Sequence, residues 1–429
     1  MTGRLNRRAA ALDPAAPVRV VHLGLGGFHR AHQAWYTGHD PEWGIAAYSF
    51  TSTAVPQALA AQDGVFTLLT RGRGTPQAEI VTSVSRAHPG ADTEQWLADL
   101  ASPEVAVLTL TVTEAAYRVP EPGVDAALHR IVAGLRQRHR GSAAPLAIVP
   151  CDNVPDNGAV LRRALLETAE RVDPQLASWI EESVPVASTV VDRITPATTQ
   201  SDVDTAREWT GFADAAPAVT EPFTEWLIAG DFPLGRPAWE RGGAHFAAGP
   251  AELAQYQQRK LWLLNGSHSL LAYAGLARGL DTVDEAIADP ALSELVESWW
   301  DAAATHSQLP TAHLDQYRAH LRSRYANPSI RHHLRQIGKD GSQKIPARIL
   351  PVLRAERERA RLPRAAAAAV AAWIRYLQKE PVHDPRADEF TALATSDSPE
   401  RAVLGGLDPA LAQDAELVTE VHRQRLALD

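Results

Sequence analysis

The first half of the chain alternates short apolar runs with amphipathic stretches. Residues 18–23 (VRVVHL) are apolar and rich in β-branched side chains, which is typical of a strand buried on both faces of a parallel sheet. Similar strand-like runs follow at 45–50, 65–70, 80–84, 105–112 and 146–149. Helical patterns lie between several of these runs, at 93–100, 126–136 and 159–171. This alternation predicts a doubly wound α/β domain built on a parallel sheet.

The pattern changes near residue 248. Strand-like runs stop there, and amphipathic or alanine-rich helical segments follow at 251–276, 291–304, 365–379 and 410–426. Turns containing proline, at Phe232-Pro233 and Gly249-Pro250, mark the change. We therefore predict two domains, an α/β domain over residues 1–247 and a mostly α-helical domain over residues 248–429.

A glycine-rich turn follows the first predicted strand directly. Gly24 and Gly26 allow a tight backbone turn, and a helical pattern begins at about His29. A strand, a glycine turn and a helix in this order are the context of a dinucleotide-binding fingerprint, in which the turn lets the backbone approach a pyrophosphate. Because His29 occupies the usual third glycine position, the fingerprint is incomplete, and a plain glycine turn is the alternative.

The end of the second predicted strand bears on the choice of cofactor. In dinucleotide-binding domains this strand usually ends in an acid that binds the 2′-hydroxyl of the adenosine ribose of NAD. Here the strand is followed by SFTST (49–53), which contains no Asp or Glu. The strand end therefore leaves NAD and NADP both open.

Lysine is rare in this chain. Four of the 42 basic residues are lysine, namely Lys260, Lys339, Lys344 and Lys379. Because a desolvated lysine loses its proton far more readily than an arginine, a lysine retained in such a chain is a candidate for acid–base chemistry. A solvated surface position is the alternative for each of them.

Lys260 begins the segment KLWLLNGSHS (260–269), which has the pattern of a helix. At about 100° per residue, Asn265 lies roughly 140° and His268 roughly 80° around the helix from Lys260, with leucines inside that arc. Polar groups in such a setting are costly unless they line a cavity or pair with one another. A base for a hydroxyl proton (Lys260) and donors for the reacting oxygen are what the oxidation of an alcohol requires. The alternatives are a polar network between helices and a break of the helix at Gly266.

Three other kinds of polar residue invite a chemical interpretation. Asn153 follows a buried strand and precedes a helix, so it is expected where strand ends line a cleft; a turn residue is the alternative. Cys151 is interpreted as a small buried thiol rather than a nucleophile. His29 and His32 have a spacing compatible with metal ligation, but no acidic or cysteine partner is attached to them, so no metal site is predicted.

Length, charge and composition exclude several classes of protein. A chain of 429 residues with 45% hydrophobic and 22% charged residues is ordinary for a globular protein of two or three domains. A formal charge of −9 argues against nucleic acid or an anionic membrane as the partner. No apolar run approaches the roughly 18 residues that span a bilayer, and the N-terminus lacks the apolar core of a secretory signal. With one cysteine and no internal disulfide, a cytoplasmic location fits best.

Taken together, these segments resemble the mannitol dehydrogenase family, the polyol-specific long-chain dehydrogenases and reductases. The stretches that carry the resemblance are GLGGFHRAHQAWYT (24–37), VPCDNVPDNGAV (149–160), VVDRITPATT (190–199), EPFTEWLIAGDFPLGRPAWE (221–240), KLWLLNGSHS (260–269) and DGSQKIP (340–346). The resemblance implies a Rossmann-like dinucleotide-binding domain at 1–247 and a helical substrate-binding and catalytic domain at 248–429. It also implies a zinc-independent enzyme that interconverts a polyol, such as mannitol or arabinitol, and a ketose with NAD or NADP, NAD being slightly favoured.

The resemblance also assigns roles to single residues. Lys260 takes the place of the family's general base, with His268 as the histidine beside it. Asn153 and Asn265 match the paired carboxamides around the reacting oxygen. The expected substrate-binding residues are Asp192, Lys344 and Arg335. The expected cofactor-binding residues are Gly24, Gly26, Gly27, Phe28 and Arg30.

One departure from the family pattern concerns the substrate. Where an arginine is expected in mannitol dehydrogenases, this chain has Gln336, with Arg335 adjacent, and this looks closer to the fructuronate reductase branch. A hexuronate such as fructuronate or tagaturonate is therefore the alternative substrate, and Arg331, Arg335 or Lys344 could then bind its carboxylate. A catalytically inactive dinucleotide sensor is a third interpretation. The expected partner is a small molecule, with no nucleic acid and no membrane, and the expected state is a monomer or small homo-oligomer.

Overall fold

Strands occupy only the first part of the described chain. The computed structural model describes residues 3–72, 74–112, 114–119, 121, 126–379 and 383–428. Its strands are β1 (Val18–Leu23), β2 (Gly44–Tyr48), β3 (Phe66–Thr70), β4 (Gln77–Val81), β5 (Val84–His88), β6 (Val107–Leu110), β7 (Ala147–Pro150), β8 (Ser188–Asp192), β9 (Ala218–Thr220), β10 (Glu225–Ala229) and β11 (His245–Phe246).

The helices continue to the end of the described chain. The α-helices are α1 (Gly27–Ala31), α2 (Gln33–Thr37), α3 (Ala54–Ala60), α4 (Thr93–Ala101), α5 (Ala127–Arg140), α6 (Asn157–Val172), α7 (Pro174–Ser183), α8 (Gln200–Thr210), α9 (Pro250–Arg259), α10 (Ser267–Ala277), α11 (Val283–Ala288), α12 (Pro290–Ala304), α13 (Thr311–Tyr325), α14 (Leu334–Ile337), α15 (Gly341–Arg348), α16 (Leu350–Glu358), α17 (Arg364–Lys379), α18 (Ala387–Ala394), α19 (Pro399–Leu407) and α20 (Ala415–Leu426). Short 3₁₀ turns lie at Glu114–Tyr117, Trp239–Gly242 and Leu411–Gln413, and a π-helical segment at Lys260–Gly266.

The main sheet is parallel and five-stranded, in the order β5-β2-β1-β6-β7. The strands β2, β6 and β7 are buried at every residue, and β1 is buried from Val20 onward, so both faces of these strands are covered, whereas the edge strand β5 exposes Arg86. Along β1, Val20 belongs to the apolar core on one face, whereas Val21 and Leu23 belong to the core on the other. Helices cover both faces, so the predicted doubly wound, Rossmann-like domain is confirmed.

Two smaller sheets were not predicted. They have the orders β11-β10-β8 and β4-β3-β9, and each contains an antiparallel pair. The predicted run 80–84 is in fact the end of β4 and the start of β5. Only six residues of sequence lie between β3 and β4, which permits antiparallel pairing, whereas a parallel pair would need a crossover of a dozen or more residues. The prediction that all these runs join one parallel sheet was therefore wrong for β3 and β4.

The chain divides into two units, Met1–Ala254 (unit 1) and Gln255–Asp429 (unit 2). All the strands belong to unit 1, and the described part of unit 2 is helical. Within unit 2, α10 is apolar almost all round and is buried from Ser267 to Leu276, as expected for a central helix. The alanine-rich α17 is buried along most of its length, because alanine has the highest helix propensity and lets neighbouring helices approach closely.

Candidate active site

The glycine turn requires glycine at its first position. Gly24 follows β1 with φ +114°, a conformation that residues with a side chain rarely adopt. A Cβ at Gly24 would lie 2.2 Å from the carbonyl oxygen of Thr111. The N–H groups of Gly24 and Leu25 both donate to the carbonyl of Tyr48, at 2.8 and 2.9 Å. The turn is thus fixed against the carboxyl ends of β2 and β6.

A buried chain of hydrogen bonds holds the turn from below. The Thr111 hydroxyl donates to the Gly24 carbonyl at 2.7 Å, and His22 lies 3.1 Å from that hydroxyl through Nε2 and 2.8 Å from the Thr109 hydroxyl through Nδ1. The Thr111 hydroxyl donates its only proton to Gly24. In its contact with His22 it must therefore be the acceptor, so Nε2 of His22 is protonated and donates. Burial lowers the pKa of His22 to about 3, so the ring is neutral. The role of His22 and Thr111 in the turn was not predicted from the sequence, although each lies at the carboxyl end of a predicted strand.

Arg30 lies under the turn. It is 5% exposed, and its guanidinium donates to the carbonyls of Gly26 at 3.1 Å, Ala216 at 2.5 Å and Pro217 at 3.0 Å. Burial lowers its pKa to about 10, against the raising effect of Asp214. These bonds give Arg30 a role in fixing the backbone of the turn, and a direct contact with a cofactor stays a prediction.

Two cavities of unit 1 lie next to the turn. One, of about 570 Å³, is the β2 cavity; it is lined by Leu23, Tyr48, Phe50, Thr51, Thr53, Pro89, Gly90, Ala91, Thr93, Trp96, Leu97, His129, Arg130 and Ala133. The other, of about 390 Å³, is the Asn153 cavity; it is lined by Phe28, Thr111, Val112, Cys151, Asp152, Asn153, Val154 and Val191. Leu23, which precedes the glycine turn, lines the β2 cavity, and Phe28, which follows the turn, lines the Asn153 cavity.

The β2 cavity contains a cation and, among the described lining residues, no carboxylate. The Arg130 guanidinium lies 4.6 Å from the centre of the Phe50 ring and donates to the Gly90 carbonyl at 2.8 Å. The aromatic rings of Tyr48 and Trp96 contribute flat apolar surface. The residues that follow the second strand line this cavity, and neither they nor the other described lining residues include an Asp or Glu.

The Asn153 cavity brings two predicted site residues together. Phe28 and Asn153 line it directly, and Val191, which also lines it, is followed by the buried Asp192 at the end of β8. Asn153 is exposed, as a residue that meets a ligand must be. Cys151 is buried, and burial raises the pKa of its thiol, so it stays protonated.

In unit 2, Lys260, Asn265 and His268 (the lysine set) lie on one continuous helix, but its middle is not α-helical. The segment Lys260–Gly266 is a π-helix between α9 and α10. An i→i+5 hydrogen-bond pattern needs more residues per turn than 3.6, so each residue turns by less than about 100°. The arc from Lys260 to Asn265 is therefore closer to one full turn, and the predicted offset of roughly 140° was wrong. The wide turn moves both residues towards one face, and the helix does not break at Gly266.

His268 is buried on the first turn of α10. It is 8% exposed, and its ring packs against Tyr325 at 4.8 Å and His332 at 5.2 Å between ring centres. Lys260 and Asn265 are half-buried. The lysine set therefore lies at the edge of the helical core and is not a solvated face.

The three positions predicted to bind substrate differ in burial. Asp192 is buried in unit 1, whereas Lys344 is half-buried on α15 and Arg335 is exposed on α14, next to the exposed Gln336. The Lys344 ammonium donates to the Ile337 carbonyl at 3.1 Å. Burial, and after it the charge of Arg348, lowers the pKa of Lys344 to about 8.

The described residues contain neither a metal-ligating cluster nor a membrane-spanning helix. No group of three or more His, Cys, Asp or Glu side chains there is arranged to hold a metal ion. His29 and His32 are both buried, and the His29 ring stacks on His22 with 3.4 Å between ring centres. Within the described ranges, no helix combines the length and apolar character needed to cross a membrane.

Comparison with known proteins assigns the family. Residues 18–241 match the mannitol dehydrogenase Rossmann domain, and residues 252–427 match the mannitol dehydrogenase C-terminal domain. The chain belongs to the mannitol dehydrogenase family. The resemblance inferred from the motifs is thereby confirmed, and with it an oxidoreductase of the polyol and sugar-acid dehydrogenase class.

Relatives within the family include a D-mannonate oxidoreductase and several mannitol 2-dehydrogenases. The chain is 36% identical to D-mannonate oxidoreductase of Escherichia coli (strain K12), over 84% of this chain and 80% of that protein. It is 32% identical to mannitol 2-dehydrogenase of Aspergillus terreus, over 91% of this chain and 84% of that one.

Solved structures agree with this assignment. Pseudomonas fluorescens mannitol 2-dehydrogenase, in a ternary complex with NAD and D-mannitol, superimposes with a TM-score of 0.80 at 30% identity, over 100% of this chain and 94% of that one. A D-sorbitol dehydrogenase in substrate-free form has a TM-score of 0.89 at 24% identity, over 99% and 98% of the two chains, which supports the fold.

Proposed function

We propose that the protein is an NAD(P)-dependent oxidoreductase that interconverts an open-chain polyol, mannitol-like or arabinitol-like, and the corresponding ketose. The observation that carries the proposal is the π-helical turn, which moves Lys260 and Asn265 towards one face of their helix. A base and a hydrogen-bond donor on one face match the needs of an alcohol that loses a proton and a hydride.

Unit 1 fits a dinucleotide. The glycine turn leaves room for close backbone approach where a Cβ would overlap Thr111. The β2 cavity has the flat apolar walls that suit an adenine ring, and the Asn153 cavity is lined by Phe28, which follows the turn. Gly24, Gly26, Gly27 and Phe28 are the residues proposed to hold the cofactor, with Arg30 beneath them. When bound, the nicotinamide ring accepts or supplies the hydride.

The chain's own residues then handle the proton and the oxygen. Lys260 takes the hydroxyl proton when the alcohol is oxidised and returns it when the ketone is reduced. The side-chain amides of Asn153 and Asn265 donate to the reacting oxygen and stabilise the charge that develops on it. His268 orients the lysine or binds the substrate, and Asp192, Lys344 and Arg335 are proposed to contact the substrate's other hydroxyl groups.

A sugar acid is the second candidate substrate. Lys344 has a pKa of about 8 and is largely cationic at pH 7, so it can pair with a carboxylate. The identity of 36% to D-mannonate oxidoreductase favours the same class, as does Gln336 at the position where the family's arginine is expected. A hexuronate such as fructuronate, reduced to an aldonate, would then replace the polyol and ketose, with Lys260 in the same role.

One set of assays separates these possibilities. Oxidation of mannitol, arabinitol and mannonate and reduction of fructose and fructuronate are measured with NAD(H) and with NADP(H). We expect turnover with one substrate class, whose kcat/KM exceeds that of the other class. Binding of NADH without turnover of any of them would contradict the proposal and favour the inactive sensor. A cytoplasmic location and a monomeric or small homo-oligomeric state also stay predictions.

The same assays test the choice of cofactor. NAD is slightly favoured, yet no carboxylate among the described lining residues of the β2 cavity would repel the 2′-phosphate of NADP, and Arg130 could pair with it. We therefore expect NADPH both to bind and to act as a hydride donor. An Arg130→Met variant should weaken NADPH binding more than NADH binding, measured by fluorescence titration of the free enzyme. Equal loss for both cofactors would show that Arg130 does not contact the 2′ position.

A further inference from the structure

Four consecutive carbonyls of the π-helical segment accept hydrogen bonds from side chains of other helices. The indole N–H groups of Trp299 and Trp300, both on α12, donate to the carbonyls of Trp262 at 2.8 Å and Leu263 at 2.9 Å. The next two carbonyls are bound from α13 and α15. Tyr325 OH donates to Leu264 at 3.0 Å, and Arg348 Nη1 to Asn265 at 3.3 Å.

These four donors (the carbonyl clamp: Trp299, Trp300, Tyr325 and Arg348) come from three helices of unit 2. The two indoles are fully buried and Tyr325 is 2% exposed, so water does not compete for the carbonyls. A Cβ at Gly266 would lie 2.7 Å from the Trp299 ring, so glycine at this position lets the indole reach the helix backbone. The clamp is therefore built into the core and is not a set of surface contacts.

The clamp explains how a rare backbone form persists in this helix. A π-helical turn is uncommon because an α-helix is the more stable form for most sequences. Side-chain donors that bind its carbonyls in a dry core favour the backbone form in which those bonds are made, since a buried donor without an acceptor is costly. Reversion of the turn to an α-helix would move these carbonyls away from the positions at which the buried indole and phenol donors bind them.

The clamp also reaches the lysine set. Tyr325, which binds the Leu264 carbonyl, packs its ring on His268 and also lies 2.7 Å from the Ser267 hydroxyl. Arg348 binds the carbonyl of Asn265 and the hydroxyl of Ser269 at 3.1 Å. Displacement of either donor would therefore move the backbone that carries Asn265 and His268.

We propose that the carbonyl clamp consists of positioning residues, which hold Lys260–Gly266 in the π-helical form and so keep the lysine set in register for proton transfer. The proposal rests on the proposed role of Lys260 for its catalytic part. Its structural part is independent of any substrate.

The variants are Trp299→Phe, Trp300→Phe and Tyr325→Phe, each of which removes one donor and keeps the aromatic ring. Trp226→Phe is the matched control, because Trp226 is a fully buried indole of unit 1 whose N–H has no acceptor among the described residues. It loses a comparable volume and no carbonyl contact. Single variants are used so that each one retains most of the core.

The first readout needs no substrate. Because the chain has four lysines, incorporation of lysine labelled with ¹³C at Cε gives four resonances, which Lys→Arg variants assign. We expect the Lys260 resonance and its titration with pH to change in the clamp variants and not in Trp226→Phe. Hydrogen exchange should accelerate in the peptide that covers residues 260–266. An unchanged Lys260 resonance and unchanged exchange in all three variants would overturn the proposal.

The second readout is catalytic. We expect kcat to fall about 10- to 100-fold with little change in KM, as misplacement of a catalytic group by less than an ångström does, and the pH profile of kcat to shift. Trp226→Phe should keep both. A rise in KM alone would contradict the positioning role. If the wild type turns over no substrate, the proposed function fails, whereas the Lys260 resonance and hydrogen exchange still decide whether the clamp holds the turn.

Discussion

Lys260 and Lys344 have different environments, and this difference suggests different tasks. Lys260 belongs to the π-helical turn at the edge of the helical core, where a base can be brought to a bound alcohol. Lys344 donates to a backbone carbonyl and has a pKa lowered to about 8 by burial and by Arg348, so it is cationic at pH 7 and neutral at pH 9. One is proposed to move a proton and the other to bind the substrate.

Replacement of Lys260 tests the proton-transfer role. We expect Lys260→Ala to lower kcat about 10²- to 10⁴-fold, the usual contribution of a general base. Binding of NADH should stay nearly unchanged, because the residues proposed to hold the cofactor all belong to unit 1. Steady-state kinetics and fluorescence titration measure the two effects. Lys379→Ala, at an exposed lysine, is the control and should keep wild-type rates; undiminished turnover by Lys260→Ala would exclude Lys260 as the base.

Lys344 gives a pH dependence that distinguishes the two substrate classes. If the substrate is a sugar acid, KM should rise as pH increases through about 8, because Lys344 loses the proton that attracts the carboxylate. If the substrate is a polyol, KM should stay flat over the same range. Initial rates between pH 7 and pH 9 measure this. Lys344→Arg keeps its charge at pH 9 and should remove the rise; a rise that persists in this variant would assign the titration to another group.

At the scale of elements, the glycine turn depends on three strands at once. β1 leads into Gly24, the carbonyl of Tyr48 at the end of β2 accepts two N–H groups of the turn, and Thr111 after β6 closes it. β2 and β6 are the two neighbours of β1 in the main sheet, so the strand order determines which residues contact the turn. Its shape is therefore sensitive to any side chain at its first residue.

Gly24→Ala should disrupt this turn. The new Cβ would overlap the Thr111 carbonyl, and the left-handed strain adds about 1–3 kcal/mol, so we expect weaker NADH binding and a lower Tm. Gly211→Ala is the matched control, because Gly211 also has a positive φ but has nothing within 4 Å of its Cβ position. It should lose stability and keep NADH affinity. Equal NADH affinity in both variants would contradict the role of the turn in cofactor binding.

At the scale of the whole molecule, the two units contribute different kinds of site. Unit 1 supplies the glycine turn and the two cavities beside it, and unit 2 supplies a helix with a lysine and its partners. Both units are needed for the proposed reaction, because the cofactor residues and the general base belong to different units. The base proposed for proton transfer is the amine of Lys260, and no group of metal-ligating side chains is found among the described residues.

If Lys260 is the base, as proposed, activity should not require a metal. Prolonged dialysis against EDTA, followed by assay in the chelator, should leave kcat and KM unchanged, because the lysine amine takes the proton that a metal-bound water would otherwise take. A parallel sample with added Zn²⁺ serves as the control. Loss of activity in EDTA that Zn²⁺ restores would overturn the lysine mechanism.

Elements whose signal lies within a short stretch of residues could be predicted from the sequence alone. Apolar runs predicted β1, β2, β6 and β7, because a strand buried on both faces carries apolar side chains on both of them. Glycine after β1 predicted the turn, since few other residues adopt its backbone angle. The helical second unit followed from periodicity, and the motifs identified the family. Each of these signals is contained within a short stretch of chain.

Tertiary structure decided the features that depend on distant partners. β3 and β4 belong to a separate sheet, in which the short connection between them allows antiparallel pairing. β8 to β11 lacked a clear local pattern. His22 and Thr111 became part of the turn only when β1 and β6 paired. The π-helical form of Lys260–Gly266 could not be read from its own residues. Donors from three other helices bind its carbonyls, and no pattern within the segment encodes them.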